Sequence, residues 1–163
     1  MFKIGIITVS DKGARGERVD ESGPAIREMV KALGEVICCQ IVPDEQDLLE
    51  ETMISMSVKD KVDLILTTGG TGLSSRDVTP EATLAVIQKE VPGLAEAMRS
   101  ESMKKTNRAM LSRAVAGIRN STLIINLPGS VKAVRECLAV ILPALPHGLE
   151  ILTGRGGECG STE

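Results

Sequence analysis

Aromatic side chains are almost absent from this 163-residue chain: Phe2 stands alone, with no Trp and no Tyr. That removes the stacking platforms on which single-strand and RNA readers lay bases. A basic surplus is missing too. Nineteen Lys and Arg against 22 Asp and Glu leave a formal charge of -3, which argues against general nucleic-acid binding. Histidine occurs once, as His147, which disfavours histidine general-base chemistry and a transition-metal site. Cys38 and Cys39 adjoin inside an apolar run, while Cys137 and Cys159 are isolated. None has metal-ligand spacing, and all four read as reduced structural thiols. No continuous apolar run approaches the roughly 18–20 residues of a membrane span. The first residues, Met1 to Ile6, enter a strand without the n-region and h-region of a signal peptide. A soluble, cytoplasmic protein is the expectation.

What the chain does have is a regular alternation of apolar runs and helical periodicity. The hydrophobic share is 42% and the charged share 25%, ordinary for a globular domain. Strands are expected at Lys3–Val9, Val36–Val42, Val62–Leu66 and Thr122–Leu127, with Ala114–Ile118 as a possible short one. Helices are expected from Ser22 to about Leu33, stopped by Gly34, and for about 15 residues after an N-cap at Asp44. Further helices are expected over Pro80–Lys89 with Thr79 as N-cap, over Leu94–Lys104, over Val131 to Leu142, and over His147 to Leu152. Residues 1–154 should form one domain, with 155–163 a flexible tail. Strand–helix alternation predicts an α/β three-layer sandwich: a mostly parallel central sheet with helices on both faces.

In such sheets ligands bind beyond the carboxyl ends of the strands. Every polar or glycine-rich cluster here falls at such an end: Ser10-Asp11, Pro43-Asp44-Glu45, Thr67-Thr68-Gly69-Gly70-Thr71-Gly72, and Asn126-Leu127-Pro128-Gly129-Ser130. Four loops converging on one rim should form one site. The Thr/Gly loop offers amides and hydroxyls to an anionic ligand, although glycines there could merely permit tight turns. It is neither a Walker A loop nor a dinucleotide fingerprint. Asp44 and Asp77 are the acids best placed for catalysis. Two carboxylates on a phosphate-binding rim call for a cation, and Mg²⁺ suits oxygen ligands and substrate phosphates. The plain alternatives are a helix cap for Asp44 and loop-amide bonding for Asp77. Asp11, Asp20 and Glu81 are weaker candidates, and Ser112-Arg113 reads as an exposed helical pair.

Taken together, Thr67 to Gly72, Arg76-Asp77-Val78-Thr79-Pro80-Glu81, Pro43-Asp44-Glu45, Met110-Leu111-Ser112-Arg113 and Asn126 to Ser130 resemble the MogA/MoaB family of molybdenum-cofactor biosynthesis. Its relatives include the gephyrin and plant Cnx G domains. The likeness runs from about Lys3 to Gly154. It implies a molybdopterin adenylyltransferase, in which ATP and molybdopterin give adenylylated molybdopterin and pyrophosphate with Mg²⁺ assisting. The resemblance implies catalytic and metal-binding roles for Asp44 and Asp77. It implies substrate or nucleotide contacts for Ser10, Asp11, Thr68, Gly69, Gly70, Thr71, Gly72, Glu81, Ser112, Pro128, Gly129 and Ser130. A homotrimer, and hand-over of product to a molybdenum insertase, are implied as well. The MogA and MoaB branches stay open, so a MoaB-like pterin-binding protein without efficient transfer is the alternative. A scaffolding module of the same fold is a further one.

Overall fold

The computed structural model describes residues 1–156; Cys159 and most of the expected tail lie outside the described residues. Among the described residues six strands form one sheet: β1 (Phe2–Val9), β2 (Gly34–Val42), β3 (Leu64–Thr68), β4 (Lys89–Glu90), β5 (Ala116–Arg119) and β6 (Thr122–Leu127). Their order is β2-β1-β3-β6-β5-β4. The first four in that order run parallel, while β5 pairs antiparallel with both β6 and β4. Chain direction across the sheet reverses at β1, which has β2 on one side and β3 on the other. A switch point of this kind opens a crevice at the strand ends.

Seven α-helices among the described residues accompany the sheet: α1 (Asp11–Ala14), α2 (Ser22–Met29), α3 (Gln46–Val58), α4 (Thr79–Val86), α5 (Pro92–Met103), α6 (Val131–Ile141) and α7 (Leu145–Thr153). The central strands bury both faces, so alternate residues supply two cores. Ile4, Ile6, Leu64, Leu66, Leu123 and Ile125 pack with α2, α5, α6 and α7 through Ile26, Met98, Val134, Leu138, Leu145 and Leu149. Ile7, Val9, Ile65 and Ile124 pack on the other face with α3 and α4, through Leu49, Met53, Met56, Ala82 and Val86. The three-layer arrangement is the one expected.

Several local expectations change. Gly34 does not end a helix; it begins β2 opposite Phe2, where a β-carbon would collide with the Phe2 carbonyl. The helix before it stops at Met29 and passes through a turn. Asp44 does not cap α3, whose N-cap is Glu45 without a side-chain bond. Thr79 lies inside α4 rather than capping it, and its hydroxyl donates to Gly69 O at 2.9 Å. The loop after Ser10 contains α1, capped by Ser10 Oγ accepting from Gly13 N. Asn107–Leu111 forms a 3-10 helix, so Ser112-Arg113 is not a helical pair.

Arg155, assigned to the tail, is anchored. Its guanidinium donates to both oxygens of buried Asp63, at 3.0 and 3.1 Å, and lies over the Phe2 ring. One expectation about apolar runs also shifts. Taken through the 3-10 turn at Pro143, Val131–Thr153 is a 23-residue helical stretch, long and apolar enough by composition to cross a membrane. In the fold its apolar stripe (Val134, Leu138, Ile141, Leu145, Leu149) packs on the sheet. Its other face carries Lys132, Arg135, Glu136, His147 and Glu150, so the pattern is that of an amphipathic core helix.

Candidate active site

A polar cleft of about 750 Å³ opens at the carboxyl ends of β1, β2, β3 and β6. The end of β1 brings Thr8, Ser10 and Asp11; β2 brings Asp44; β3 brings Thr68, Gly69 and Gly70; β6 brings Gly129 and Ser130. Asp77 joins from the segment before α4. The four loops expected to meet do meet, at the switch point between β1 and β3.

Side chains stitch these loops together. Thr68 Oγ1 donates to Pro128 O at 2.7 Å, and Ser22 Oγ to Gly129 O at 2.8 Å. Gly69 and Gly70 sit at φ 96° and 68°, a region costly for any residue with a β-carbon. A β-carbon on Gly70 would strike the Thr79 hydroxyl, and it would lie 3.3 Å from Asp44 Oδ1. One on Gly72 would lie 2.9 Å from Asp77 Oδ2. The glycine loop therefore runs directly beneath both carboxylates.

Each carboxylate is held by one oxygen. Asp44 Oδ2 accepts the Asp11 amide at 2.9 Å, and Asp11 Oδ1 accepts the Asp44 amide at 3.0 Å. Asp77 Oδ2 accepts the Ser74 amide at 2.9 Å, which is the loop-amide bond considered from sequence. Among the described residues, Oδ1 of Asp44 and Oδ1 of Asp77 receive no hydrogen bond. Burial pushes the Asp44 carboxyl above its usual range, and the charges of Asp11 and Asp77 add to that. Asp11 goes the other way, lowered chiefly by hydrogen bonds from Arg76, whose Nε and Nη2 donate at 3.0 and 2.9 Å.

Five acids line the cleft (Asp11, Asp20, Glu21, Asp44 and Asp77) against two bases, Lys12 and Arg18. A polyphosphate entering this acid-rich space needs added positive charge. Among the described residues no group of three His, Cys, Asp or Glu could cage a metal ion. The donor set does fit Mg²⁺, which takes one or two carboxylates and completes its shell with water and substrate phosphate. Asp44 and Asp77, with their free oxygens, would hold it.

Not every expected residue enters the cleft. Thr71, Gly72, Ser112 and Pro128 line a neighbouring, more apolar groove of about 320 Å³ between α5, the 3-10 helix and α6. Glu81 lines neither and pairs with Arg113, which holds its carboxyl below the ordinary range. Asn126 belongs to the core: wholly buried, it donates to Thr67 Oγ1 at 3.1 Å and Thr83 Oγ1 at 2.9 Å. His147 is exposed on α7 and lines neither space. Sequence reasoning missed Lys12 and Arg18 in the cleft; it ranked Asp20 among the weaker candidates and read Asp20-Glu21 as a loop or helix-entry pair. Asp20 accepts from Thr8 Oγ1 at 2.8 Å and from the Ser22 and Gly23 amides at 3.1 and 3.0 Å, fixing the start of α2. An acid two or three residues before Ser22-Gly23-Pro24 was the available signal.

Three thiols are free among the described residues: Cys38, Cys39 and Cys137. Burial pushes Cys38 up to about 11 and raises Cys137. Both are thereby poor nucleophiles.

Residues 5–147 match the family described as "Probable molybdopterin binding domain" (MoCF_biosynth). The chain is 46% identical to the molybdopterin adenylyltransferase of Helicobacter pylori, covering 93% of this chain and 88% of that protein. Among solved structures it resembles the molybdopterin biosynthesis enzyme MoaB of Thermus thermophilus (52% identity, TM-score 0.90, 94% of this chain and 98% of that one). It also resembles the tungsten cofactor synthesizing protein MoaB of Pyrococcus furiosus (40% identity, TM-score 0.84, 93% and 97%). Fold, rim motifs and these relatives agree: the chain belongs to the molybdenum-cofactor-biosynthesis family MoCF_biosynth, the molybdopterin-binding domain of the MogA/MoaB type.

Proposed function

We propose that the protein is a molybdopterin adenylyltransferase that moves AMP from ATP to the terminal phosphate of molybdopterin. The phosphate oxygen attacks the α-phosphorus, the bond from that phosphorus to the β-phosphate oxygen breaks, and pyrophosphate leaves. One observation carries the reading: two carboxylates, each with a free oxygen, stand over a positive-φ glycine loop in an otherwise polar cleft.

The chain's own groups divide the work. The Gly70 amide and the hydroxyls of Ser10 and Ser130 cradle phosphate oxygens as donors, while the Gly69 amide is spent on Leu127 O at 3.2 Å. Lys12 and Arg18 supply the protein's positive charge toward the pyrophosphate. Asp44 and Asp77, each with an unbonded oxygen, would hold Mg²⁺, which would supply positive charge to offset the phosphates. Val9, Val19 and Val131 line the cleft, and they take the place of the missing aromatic wall against the adenine. The groove holding Ser112, next to the Thr71–Gly72 turn, receives the pterin. We place the protein in the cytoplasm as a homotrimer that passes its product to a molybdenum insertase; light scattering on the purified protein tests the trimer.

Incubation with ATP, Mg²⁺ and molybdopterin tests the function. Adenylylated pterin and stoichiometric pyrophosphate support it. Pterin binding without pyrophosphate release would instead favour a MoaB-like binding protein, the reading that the likeness to MoaB structures keeps in play.

A further inference from the structure

Arg113 has no role in the chemistry above, yet every nitrogen of its guanidinium has an acceptor. Nε donates to Gly72 O at 2.7 Å and Nη2 to Asp77 O at 2.8 Å. Nη1 bonds Glu81 Oε1, and Nη2 also reaches Glu81 Oε2 at 3.5 Å. The Arg113 amide itself donates to Thr71 O at 3.0 Å. One planar group thus grips both ends of the Gly72–Asp77 turn.

Besides Arg113, the turn is tied by Arg76, whose exposed guanidinium donates to Asp11 Oδ2 and Oδ1 at 3.0 and 2.9 Å, a contact screened by solvent. Residues 73–76 are all exposed, so no buried apolar side chain fixes their position. Inside the turn, Asp77 N donates to Ser74 O at 2.9 Å and Ser74 N to Asp77 Oδ2 at 2.9 Å. The carboxylate is tied to the turn, the turn to Arg113, and Arg113 to Glu81 in the first turn of α4.

We propose that Arg113, braced by Glu81, is the positioning residue for Asp77: it sets the turn that presents the free Asp77 oxygen to the cleft. Two carbonyls and a carboxylate spread around one fork call for a guanidinium. A lysine ammonium is a point charge and cannot span them. The inference rests on the adenylyl-transfer reading of the site.

The variants are R113A, R113K and E81Q, assayed for adenylylated pterin and for amide hydrogen exchange in the 70–80 segment. For R113A the expected loss is about 100-fold in kcat with nucleotide KM within about threefold, since small misplacements of a catalytic group act mainly on the chemical step. Added guanidinium ion should restore about tenfold in R113A and nothing in R113K, because only the alanine variant leaves room for the ion. E81Q should fall between wild type and R113A. Exchange in R113A should rise over residues 72–77 while β1, β3 and β6 keep their protection. Wild-type kcat in both R113A and E81Q would overturn the proposal, as would unchanged exchange in the turn. Protection lost across the whole sheet, with E81Q at wild-type rate, would also overturn it, since Arg113 would then be a folding residue. Wild-type protein that transfers no adenylyl group would defeat the functional reading instead, and the exchange result separates that failure from a failure of the brace.

Discussion

Asp11 and Asp44, 33 residues apart in sequence, hold each other: the amide of each donates to the carboxylate of the other, at 2.9 and 3.0 Å. The bond locks the end of β1 to the end of β2 at the cleft floor. It also separates the two acids electrically. Arg76 takes up Asp11, while Asp44 keeps an unbonded oxygen and a raised pKa. A carboxylate left in that state is relieved by a bound cation.

Asp44→Asn tests that relationship. A carboxyl whose folded pKa exceeds its unfolded value contributes stability fully below the unfolded value, about 3.9 for Asp, and loses it as pH rises through the folded value. At neutral pH the ionised Asp44 is therefore a net cost. Asn keeps the shape and still accepts the Asp11 amide. Its Tm at neutral pH should equal or exceed wild type, with the advantage vanishing in acid, while transfer falls by about 100-fold or more for want of a metal ligand. Thermal melts across that pH range, with rates at neutral pH, check both halves. A destabilised variant at neutral pH contradicts the account.

Arg76→Ala should act in the opposite pH range. Asp11 is depressed in the folded protein, so its contribution is present above about pH 3.9 and is lost as pH falls through its lower folded value. Removing Arg76 should cost a little stability at neutral pH, small because the pair is exposed and screened, and so move the acid-unfolding midpoint to slightly higher pH, the difference fading as Asp11 protonates. Acid titration followed by circular dichroism reads the midpoint. An unmoved midpoint would show that the Arg76 contact has no weight in solution.

Gly70→Ala places a methyl at φ 68° against the Thr79 hydroxyl. Such backbone strain costs about 1–3 kcal/mol, and the methyl also crowds Asp44. Urea unfolding should show a loss in that range, accompanied by a raised KM for ATP. Full stability and an unchanged KM would mean that the loop does not need its left-handed residue.

Arg155→Ala removes the partner of a carboxylate that is only 9% exposed. Among the described residues Asp63 then keeps only the Lys3 amide, at 2.8 Å. Leaving a buried acceptor short of donors costs about 1–3 kcal/mol. The reaction rate should not change, since Asp63 precedes β3, at the end of the sheet away from the cleft. Chemical denaturation beside a rate assay checks this, and a large loss of rate at full stability would contradict it.

The elements that were legible in sequence are those whose local chemistry agrees with their packing. β1, β3 and β6 are apolar runs because both their faces are buried, and the loops that follow them are polar because they line the cleft. Where a residue's partner is distant, local rules misled. Asp44 looks like a helix cap but bonds across the sheet end to Asp11, and Gly34 looks like a helix stop but is needed for the close approach of β2 to Phe2. β4 has only two exposed residues, Lys89 and Glu90, so no alternation marks it. Asn126 lies within a rim motif yet is spent on a buried hydroxyl network. Arg113 was visible within its motif, but its bracing role was not, because two of its side-chain partners are main-chain carbonyls 36 and 41 residues away.

The most direct measurement is the amount of adenylylated molybdopterin and pyrophosphate formed from ATP, Mg²⁺ and molybdopterin by wild-type protein and by Asp77→Asn. Equal amounts of both products are predicted from the wild type, and about a 100-fold slower rate from a variant that remains folded. Undiminished transfer by the variant, or none by the wild type, would contradict the assignment of the cleft.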